Sequence, residues 1–470
     1  MKELCFENCG FEIYDNSVNY YGASRVMMAK KDKEDYIIVI GESLGFEGEI
    51  CALDGENAVI AKKTHNNAKL LRKLFPFTAP TRGLKKGVSI GTGDRLGLAT
   101  DGHIAAVKKY PDVFPVFAQQ SIRELNLTSR SYEDVLDATT FSVYKNGYKS
   151  GFGADGDHLK TVEEIQYALD CGFSLITLDL SEHIKSDISV GCADNLFKQY
   201  IDKEIPLAEG HSVYISEEDT VEASIIYGEA LEYIEKIYNS FIIKNDVDFE
   251  ISIDETATST KPAHHYLIAS YLVNNGIVFE SLAPRFVGEF QKGIDYIGDI
   301  KEFEKQLITH QAIAKHFGYK LSVHSGSDKF SIFPIVAKHT DKKFHIKTAG
   351  TNWLEAVKLV AIKEPKFYRE LHTFALSAFE RARKYYVVTT NIDNIPVLDT
   401  LSDYELPKLF GNNDARQLLH ITYGEILQAK DENGKHIYRD KFFDILKTHS
   451  ATYAELLSAH IGKHLDMLLG

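Results

Sequence analysis

The chain has little cysteine and no long apolar segment. Its five cysteines, in 470 residues, are odd in number and form no Cys-x-x-Cys pair, which argues against a disulfide framework or a structural zinc knot. No stretch reaches the roughly 18 apolar residues of a membrane span. Acidic residues stand near the start, where a secretory signal would need an apolar run. We therefore expect a cytoplasmic protein with reduced thiols.

Positively charged residues are fewer than negatively charged ones. The chain has 53 Lys and Arg against 67 Asp and Glu, a formal net charge of −14, and its basic residues never gather into a dense block. Such a sequence offers no electrostatic footprint for nucleic acid or for an anionic lipid surface, so we predict neither nucleic acid nor membrane as a partner. The composition of 44% apolar and 26% charged residues excludes a disordered chain.

Between residues 87 and 350 the sequence alternates short β-rich runs with longer amphipathic stretches. This alternation is typical of repeated βα units around a parallel sheet. Eight candidate strands occur, which predicts an α/β fold of the (β/α)8 TIM-barrel type. They span residues 88–91, 113–117, 150–153, 174–178, 249–253, 279–283, 320–323 and 344–347.

Two further segments flank the predicted barrel. Residues 1–80 mix short apolar runs with one helical pattern, which predicts a small N-terminal α/β module. The barrel is expected at residues 81–360, with an insertion at about 185–247 that covers one side of its mouth. In residues 361–470 apolar side chains recur every three or four positions. This pattern predicts a helical C-terminal extension that packs against the barrel or against a second subunit of a homo-oligomer.

Polar side chains follow the predicted strands at their C-terminal ends, where barrels of this type carry their chemistry. Asp157 and His158 come after the third strand, Glu255 after the fifth and His324 after the seventh. An acid and an imidazole side by side at a glycine-rich strand end cost stability unless a partner or substrate uses them. Imidazoles from several strands with one or two carboxylates are the usual ligands of Zn²⁺, Mn²⁺ or a similar ion. We therefore predict a divalent metal site at this rim.

Other motifs have a plain structural explanation. His345 lies inside a strand, where a single inward imidazole is more often a core residue than a ligand. His310 lies in a helical stretch and is expected to pack or to face solvent, whereas the pattern leaves the role of His265 undecided. Gly91-x-Gly93 has no third glycine three residues later, so a dinucleotide site is not expected.

Positive side chains at the same rim point to an anionic substrate. Arg285 and Lys347, at strand ends of an acidic protein, match a carboxylate or phosphate held by charge-assisted hydrogen bonds. No Walker-type loop is present, and Gln119, Gln120 and Ser121 are short donors and acceptors suited to hydroxyl groups. A polyhydroxylated acid is therefore a better match than a nucleotide.

Seven stretches of the chain resemble the tagaturonate epimerase family. Six of them lie in the predicted barrel and one lies in the helical extension. They are residues 89–97, 117–124, 151–158, 252–256, 324–330, 344–351 and 414–424. The resemblance implies a divalent-metal-dependent isomerase that interconverts tagaturonate and fructuronate in hexuronate catabolism.

The reaction implied by this resemblance inverts C4 of a 2-ketohexuronate. The C4 hydrogen is not α to the C2 ketone, so simple enolisation cannot invert this centre. Retro-aldol cleavage of C3–C4, followed by recombination on the other face of the aldehyde, can do so. Such a step needs a base and an acid on opposing sides, and a Lewis acid for the enediolate oxygens.

The roles implied by this chemistry are assigned to residues at the C-terminal ends of the predicted barrel strands. Proton transfer is assigned to Asp157 and Glu255. The metal ligands are expected to be His158 and His324, then His345, with His310 and His265 as further candidates. Substrate binding is assigned to Gln119, Gln120, Ser121 and Asp179 for hydroxyl groups, and to Arg285 and Lys347 for the carboxylate.

Two other functions stay open on the residues alone. A metal-dependent aldolase or ketose isomerase for acidic sugars could use the same rim, and release of three-carbon fragments would identify the aldolase. A noncatalytic sugar-acid binding protein is less favoured, because binding alone needs no acid, base and metal ligands on one rim.

Overall fold

The chain folds around a closed barrel of parallel strands, with a sheet-rich module before it and helices after it. The computed structural model describes residues 3–4, 9–186, 195–256 and 258–470. Within these ranges, no helix has both the length and the apolar character that crossing a membrane requires. The α/β fold with a TIM barrel, predicted from the sequence, is confirmed.

The N-terminal module is a mostly antiparallel seven-stranded sheet with one helix. Thr64 caps the N-terminus of its helix α1 (His65–Leu74), where the Thr64 side chain accepts a hydrogen bond from the backbone N–H of Asn67. The strands are β1 (Glu3–Leu4), β2 (Glu12–Ile13), β3 (Asn19–Tyr21), β4 (Ser24–Lys31), β5 (Glu34–Ile40), β6 (Gly48–Leu53) and β7 (Glu56–Lys62). Their order in the sheet is β1-β6-β7-β5-β4-β2, with β3 beside β4.

Eight parallel strands form the barrel, in chain order around the circle, and the last pairs with the first. Nearly all their residues are buried, as expected for parallel strands that are covered on their outer face by helices. The strands are β8 (Val88–Gly91), β9 (Phe114–Gln120), β10 (Gly153–Leu159), β11 (Leu175–Asp179), β14 (Asp248–Ile253), β15 (Ser281–Pro284), β16 (Lys320–Val323) and β17 (Phe344–Lys347).

Helices alternate with these strands and cover the barrel. They are α2 (Thr100–Val107), α3 (Ile122–Thr128), α4 (Tyr132–Lys145), α5 (Val162–Asp170), α6 (Glu217–Ser240), α7 (Pro262–Asn274), α8 (Ile300–Phe317), α9 (Phe333–His339) and α10 (Thr351–Lys363). A hairpin of β12 (Lys203–Pro206) and β13 (Ser212–Ile215) precedes α6 in the long connection after β11. Residues 187–194 of the predicted insertion lie outside the described residues.

The third barrel strand begins later than the sequence pattern indicates. The prediction places it at residues 150–153, whereas β10 runs from Gly153 to Leu159. Its carboxylates, Asp155 and Asp157, are buried rather than placed in a loop. Most barrel interiors are filled by branched apolar residues, whereas the interior of this barrel contains charged residues. The polar residues of β10 were therefore mistaken for the loop that follows a strand.

The C-terminal extension is helical and is tied to the loop that follows β16. Its helices are α11 (Pro365–Ala382), α12 (Asn413–Ile421), α13 (Tyr423–Gln428), α14 (Arg439–Thr448) and α15 (Ser450–Leu469). Asp328, in that loop, forms an ion pair with Arg416 of α12. Its other carboxylate oxygen lies 3.2 Å from His460 Nε2 and 3.3 Å from His464 Nε2, both on α15. These contacts hold the extension beside the C-terminal end of the barrel.

Candidate active site

A cavity of about 580 Å³ opens at the C-terminal ends of the barrel strands. Its walls combine barrel residues with residues of the C-terminal extension, and most of them are polar. Among them are Gln119, Ser121, Arg123, Asp157, His158, Lys160, Asp179, Asp254, Glu255, Lys292, His324, Lys347 and His420. This is the position at which barrels of this architecture carry catalysis.

Three side chains from different strands converge in this cavity. His158 is on β10, Asp254 directly follows β14 and His324 directly follows β16. One potential ligand atom of each lies within 4.8 Å of those of the other two. His158 Nε2 is 3.8 Å from Asp254 Oδ1, and His324 Nδ1 is 3.2 Å from Asp254 Oδ2. We call these three residues the His–Asp–His cluster.

A backbone irregularity positions His158. The register between β10 and β11 shifts between Gly156 and Leu159, and His158 has φ of 55°, in the left-handed region. Side chains other than glycine rarely adopt this conformation, and such bulges redirect side chains next to active sites. The strained backbone is therefore consistent with a functional orientation of the imidazole.

Each imidazole of the cluster is oriented by a buried carboxylate. Asp157 Oδ1 lies 2.7 Å from His158 Nδ1, and Glu250 Oε1 lies 2.8 Å from His324 Nε2. The remaining nitrogen of each ring is thereby directed towards Asp254. His324 Nδ1 is buried and makes no hydrogen bond within the described part of the chain. Carboxylate–histidine pairs of this kind orient the histidine ligands of metal ions.

Lys347 joins the carboxylates beneath the cluster. Its ammonium group lies 2.8 Å from Asp155 Oδ2, 2.7 Å from Asp157 Oδ1 and 2.9 Å from Glu250 Oε1, and it donates to Thr177 Oγ1 at 2.6 Å. The side chain is only 3% exposed. Lys347 therefore neutralises part of a buried negative charge and holds both of the carboxylates that orient the histidines.

The electrostatic field of this region is negative. Burial lowers the pKa of His158 and of His324, but Asp157 and Asp254 raise the first well above its usual value, and Asp254 raises the second. Burial also raises the pKa of Asp155 to about 6, although Lys347 opposes the shift. A field that stabilises protons on imidazoles also attracts a metal cation, which must displace those protons to bind.

The His–Asp–His cluster has the composition of a divalent-cation site. Two imidazole nitrogens and one carboxylate suit Zn²⁺, Mn²⁺ and related ions, and a three-residue set leaves positions for substrate. The orientation of His324 Nδ1 towards Asp254 and the two orienting carboxylates meet the requirements of such a site. The residues present therefore fit a bound cation.

Several predicted site residues line the cavity. Gln119 donates to Asp157 Oδ2 at 3.4 Å, and Ser121 caps the N-terminus of α3 at the cavity wall. Asp179 accepts from the backbone N–H of Ser181, and its second oxygen makes no hydrogen bond among the described residues. Glu255 is 46% exposed, and its Oε2 lies 4.0 Å from Lys160 Nζ.

Other predicted site residues have different surroundings. Asp157 is bound by His158 and Lys347, and although burial raises its pKa, Lys347 and His158 hold that pKa well below the usual value, so it is a poor proton acceptor. Lys347 is occupied by carboxylates and has no capacity left for a substrate carboxylate. Gln120 does not line the cavity; it donates to Glu124 Oε2 at 3.3 Å.

The structure does not bring the remaining predicted residues to the cluster. His345 is fully buried inside the barrel, where its Nδ1 lies 2.8 Å from Ser89 Oγ. His265 and His310 contact each other at 2.8 Å between α7 and α8. The guanidinium group of Arg285 donates to the Thr256 carbonyl and lines a neighbouring groove rather than this cavity. The three histidines are therefore not part of the cluster, and Arg285 lies in a groove that shares Arg123, Lys292 and His324 with the cavity.

Two cations at the cavity wall are better placed to bind an anion. Arg123 lies over the ring of Tyr386, with its guanidinium carbon 5.2 Å from the ring centre, and Lys292 donates to Ser325 Oγ at 2.9 Å. Neither forms an ion pair with a carboxylate of the described chain. Neither residue was predicted from the sequence, because neither directly follows a barrel strand. Glu250 was not predicted either, although a charged residue in the middle of a buried strand was a visible signal.

The chain matches known proteins along almost its whole length. Residues 14–468 match the family model described as tagaturonate epimerase. The tagaturonate/fructuronate epimerase of Thermotoga maritima is 38% identical over 481 aligned positions, which cover 98% of each chain. The native crystal structure of fructuronate-tagaturonate epimerase from Cohnella laeviribosi has 44% identity and a TM-score of 0.95, covering 98% of this chain and 97% of that one.

A second crystal structure of the Cohnella laeviribosi enzyme, with one glycerol bound, has 45% identity and a TM-score of 0.92. It covers 97% of this chain and 96% of its own. The resemblance noted in the sequence is thus confirmed by a family model, a curated relative and solved structures. The chain therefore belongs to the tagaturonate epimerase family, whose members are isomerases.

Proposed function

We propose that this protein interconverts D-tagaturonate and D-fructuronate at C4 with the help of a divalent cation held by His158, Asp254 and His324. The observation that carries the proposal is the convergence of these three residues in one cavity with two cations, Arg123 and Lys292, that form no ion pair with a carboxylate in the described ranges. Family membership supplies the substrate pair, and the cavity supplies the chemistry that its interconversion requires.

The reaction requires a carbon–carbon bond to break. Because the C4 hydrogen is not acidified by the C2 ketone, we assign inversion to retro-aldol cleavage of C3–C4 and recombination on the opposite face of the aldehyde. A divalent cation in the cluster would act as a Lewis acid and stabilise the negative charge that develops on the keto half. His324 is buried and the other two cluster residues are partly buried, and electrostatic stabilisation is stronger in such a partly desolvated site than in bulk water.

Glu255 is the proposed proton acceptor for the C4 hydroxyl. It lines the cavity, is partly exposed, and its Oε2 lies 4.0 Å from Lys160 Nζ. Asp157 is the second residue to which the sequence assigns proton transfer, but its contacts with His158 and Lys347 favour an orienting role instead. The second oxygen of Asp179 accepts no hydrogen bond among the described residues and lies 3.6 Å from Lys160 Nζ; it is proposed to accept a hydrogen bond from a substrate hydroxyl.

Arg123 and Lys292 are the proposed partners of the substrate carboxylate. Both line the cavity and are not neutralised by protein carboxylates in the described residues. A guanidinium group can bind a carboxylate through two parallel hydrogen bonds, and a neighbouring ammonium adds charge. This pair takes the role that sequence analysis gave to Arg285 and Lys347.

The function can be tested by a proton NMR time course with tagaturonate. We expect fructuronate to form with an intact carbon skeleton, formation to stop when a chelator is added, and activity to return with Mn²⁺ or Zn²⁺. The chelator already saturated with zinc is the control for nonspecific inhibition. Release of three-carbon fragments as the main products would identify an aldolase instead, and turnover that survives full removal of metal would contradict the cation requirement.

A matched pair of variants separates carboxylate binding from proton transfer. Arg123→Met should raise KM for tagaturonate by about tenfold to a hundredfold, since it removes charge-assisted hydrogen bonds. Glu255→Gln should instead lower kcat by about 10² to 10⁴ with little change in KM, since it removes a general base. Steady-state kinetics measures both. An unchanged KM in the first variant, or an unchanged kcat in the second, would refute the corresponding role.

A further inference from the structure

His420, in helix α12 of the C-terminal extension, is buried yet has unused hydrogen-bonding groups. It lines the active-site cavity and is only 1% exposed. Neither of its ring nitrogens has a hydrogen-bond partner within the described ranges. A buried polar group without a partner costs free energy, and native proteins keep such groups mainly where a ligand or another function uses them.

Two glycines make room for this imidazole. A Cβ atom built on Gly350, in the loop after β17, would overlap His420 Nε2. A Cβ atom on Gly293, which has φ of 79°, would lie 3.3 Å from His420 Cβ. Both glycines also line the cavity. The His420 side chain thus fits against two positions of the barrel rim that carry no side chain.

The surroundings of His420 keep its ring uncharged. Burial, followed by the positive charges of Arg95, Lys292, Arg416 and Lys329, lowers its pKa well below the usual value. A neutral imidazole has one N–H donor and one acceptor nitrogen. It cannot neutralise a carboxylate, but it can bind a hydroxyl group by donating, accepting or both.

We propose that His420 binds the C5 hydroxyl of the substrate and retains the carboxylate-bearing half between cleavage and recombination. The inference rests on the proposed function, in which Lys292 and Arg123 hold the carboxylate. Lys292 directly precedes Gly293, which packs against His420, so the hydroxyl within reach is the one on the carbon next to that carboxylate. His420 would therefore be a specificity-determining residue contributed by the extension rather than by the barrel.

The chemistry explains why such a residue is needed. When C3–C4 breaks, the O4–H proton goes to the base, the O–H electron pair forms the C4=O bond, and the C3–C4 pair forms the enediolate of C1–C3. The other product, C4–C6, is a three-carbon hydroxy-aldehyde acid with no covalent tie to its partner. Protonation of the enediolate at C3 gives dihydroxyacetone, and both fragments are then lost as products. Epimerisation succeeds only when the aldehyde acid stays and turns its other face to C3.

The test compares the wild type with His420→Ala, His420→Asn and a control, His372→Ala. His372 is also a fully buried imidazole of the extension with one unpartnered nitrogen, but it does not line the cavity. Each protein, loaded with Mn²⁺, is given tagaturonate, and NMR quantifies fructuronate, dihydroxyacetone and the aldehyde acid. Thermal unfolding of each variant shows whether it is folded.

We expect His420→Ala to slow epimerisation by about tenfold, the effect of one lost hydrogen bond, and to raise the fraction of turnover released as fragments at least severalfold. His420→Asn keeps a hydrogen-bond donor and an acceptor. It should therefore release fewer fragments than His420→Ala, even where the alanine variant folds poorly. In His372→Ala, the fraction of turnover released as fragments should equal that of the wild type.

The inference is overturned by fragment release at the wild-type level in both His420 variants, whether their epimerisation is normal or reduced. It is equally overturned by His372→Ala releasing fragments as His420→Ala does, since the effect would then be structural. A wild type that acts on neither uronate would instead refute the proposed function, before any variant is compared.

Discussion

Replacing His158 and His324 together with alanine is expected to lower the epimerisation rate at least about a thousandfold and to abolish tight binding of the divalent cation. Lewis-acid stabilisation is worth several kcal/mol in a transition state, and each 1.36 kcal/mol corresponds to a factor of about ten in rate. With both imidazoles removed, Asp254 is the one member of the cluster left, and a single carboxylate holds such ions weakly. The rate is followed by NMR, and the metal content by mass spectrometry of the dialysed protein.

The control for this variant is His345→Gln. His345 lies deeper in the barrel, against Ser89, and is not part of the His–Asp–His cluster. This variant should keep its cation even where some stability is lost. Normal activity and metal content in the double variant would contradict the assignment, and loss of the cation from His345→Gln would restore His345 as a ligand.

Replacing Lys347 with methionine should lower the free energy of unfolding by about 3–5 kcal/mol, the usual cost of leaving buried charges unpaired. Three carboxylates, those of Asp155, Asp157 and Glu250, lose their shared cation when this side chain is removed. The two histidines also lose precise orientation, because Asp157 and Glu250 hold them. Chemical denaturation, followed by circular dichroism, measures the change.

The effect of Lys347→Met should depend on pH. Burial raises the pKa of Asp157 and of Glu250, but Lys347 and the histidines outweigh it and lower both pKa values well below normal. The stabilisation that such groups provide is complete above their pKa in the unfolded state, which is about 4. It is lost as the pH falls towards their pKa in the folded state. The difference between wild type and variant should therefore shrink in acid.

A surface control makes this result specific. Lys305→Met removes a lysine whose side chain is 79% exposed, and it should change stability by less than about 0.5 kcal/mol. A Lys347 variant as stable as the Lys305 variant at neutral pH would show that the three carboxylates are not held ionised by Lys347.

The barrel could be predicted from the sequence because its strands are short β-rich runs separated by amphipathic helices. The third strand was misplaced since its inward residues, such as Asp155, are charged and look like a loop. Antiparallel pairing in the N-terminal module was not visible, because the strand patterns there do not show which runs pair.

For the site, position after a strand identified His158 and His324, because the C-terminal ends of all eight strands meet at one rim. Depth along a strand was not predictable in the same way. His345 and Lys347 are two residues apart and both reach the barrel interior, yet one contacts Ser89 and the other the carboxylates under the cluster. Lys292 and His420 could not be predicted from the sequence, because only tertiary packing brings loop and extension residues to the barrel rim.

The most direct test of the central claim is the position of the bound cation in a crystal of the Mn²⁺- or Zn²⁺-loaded protein, located by anomalous scattering at the metal's absorption edge. The account predicts a single strong peak about 2.0–2.2 Å from His158 Nε2, an Asp254 carboxylate oxygen and His324 Nδ1. A loaded, active protein with its anomalous peak elsewhere, such as beside Asp328, His460 and His464, would contradict it.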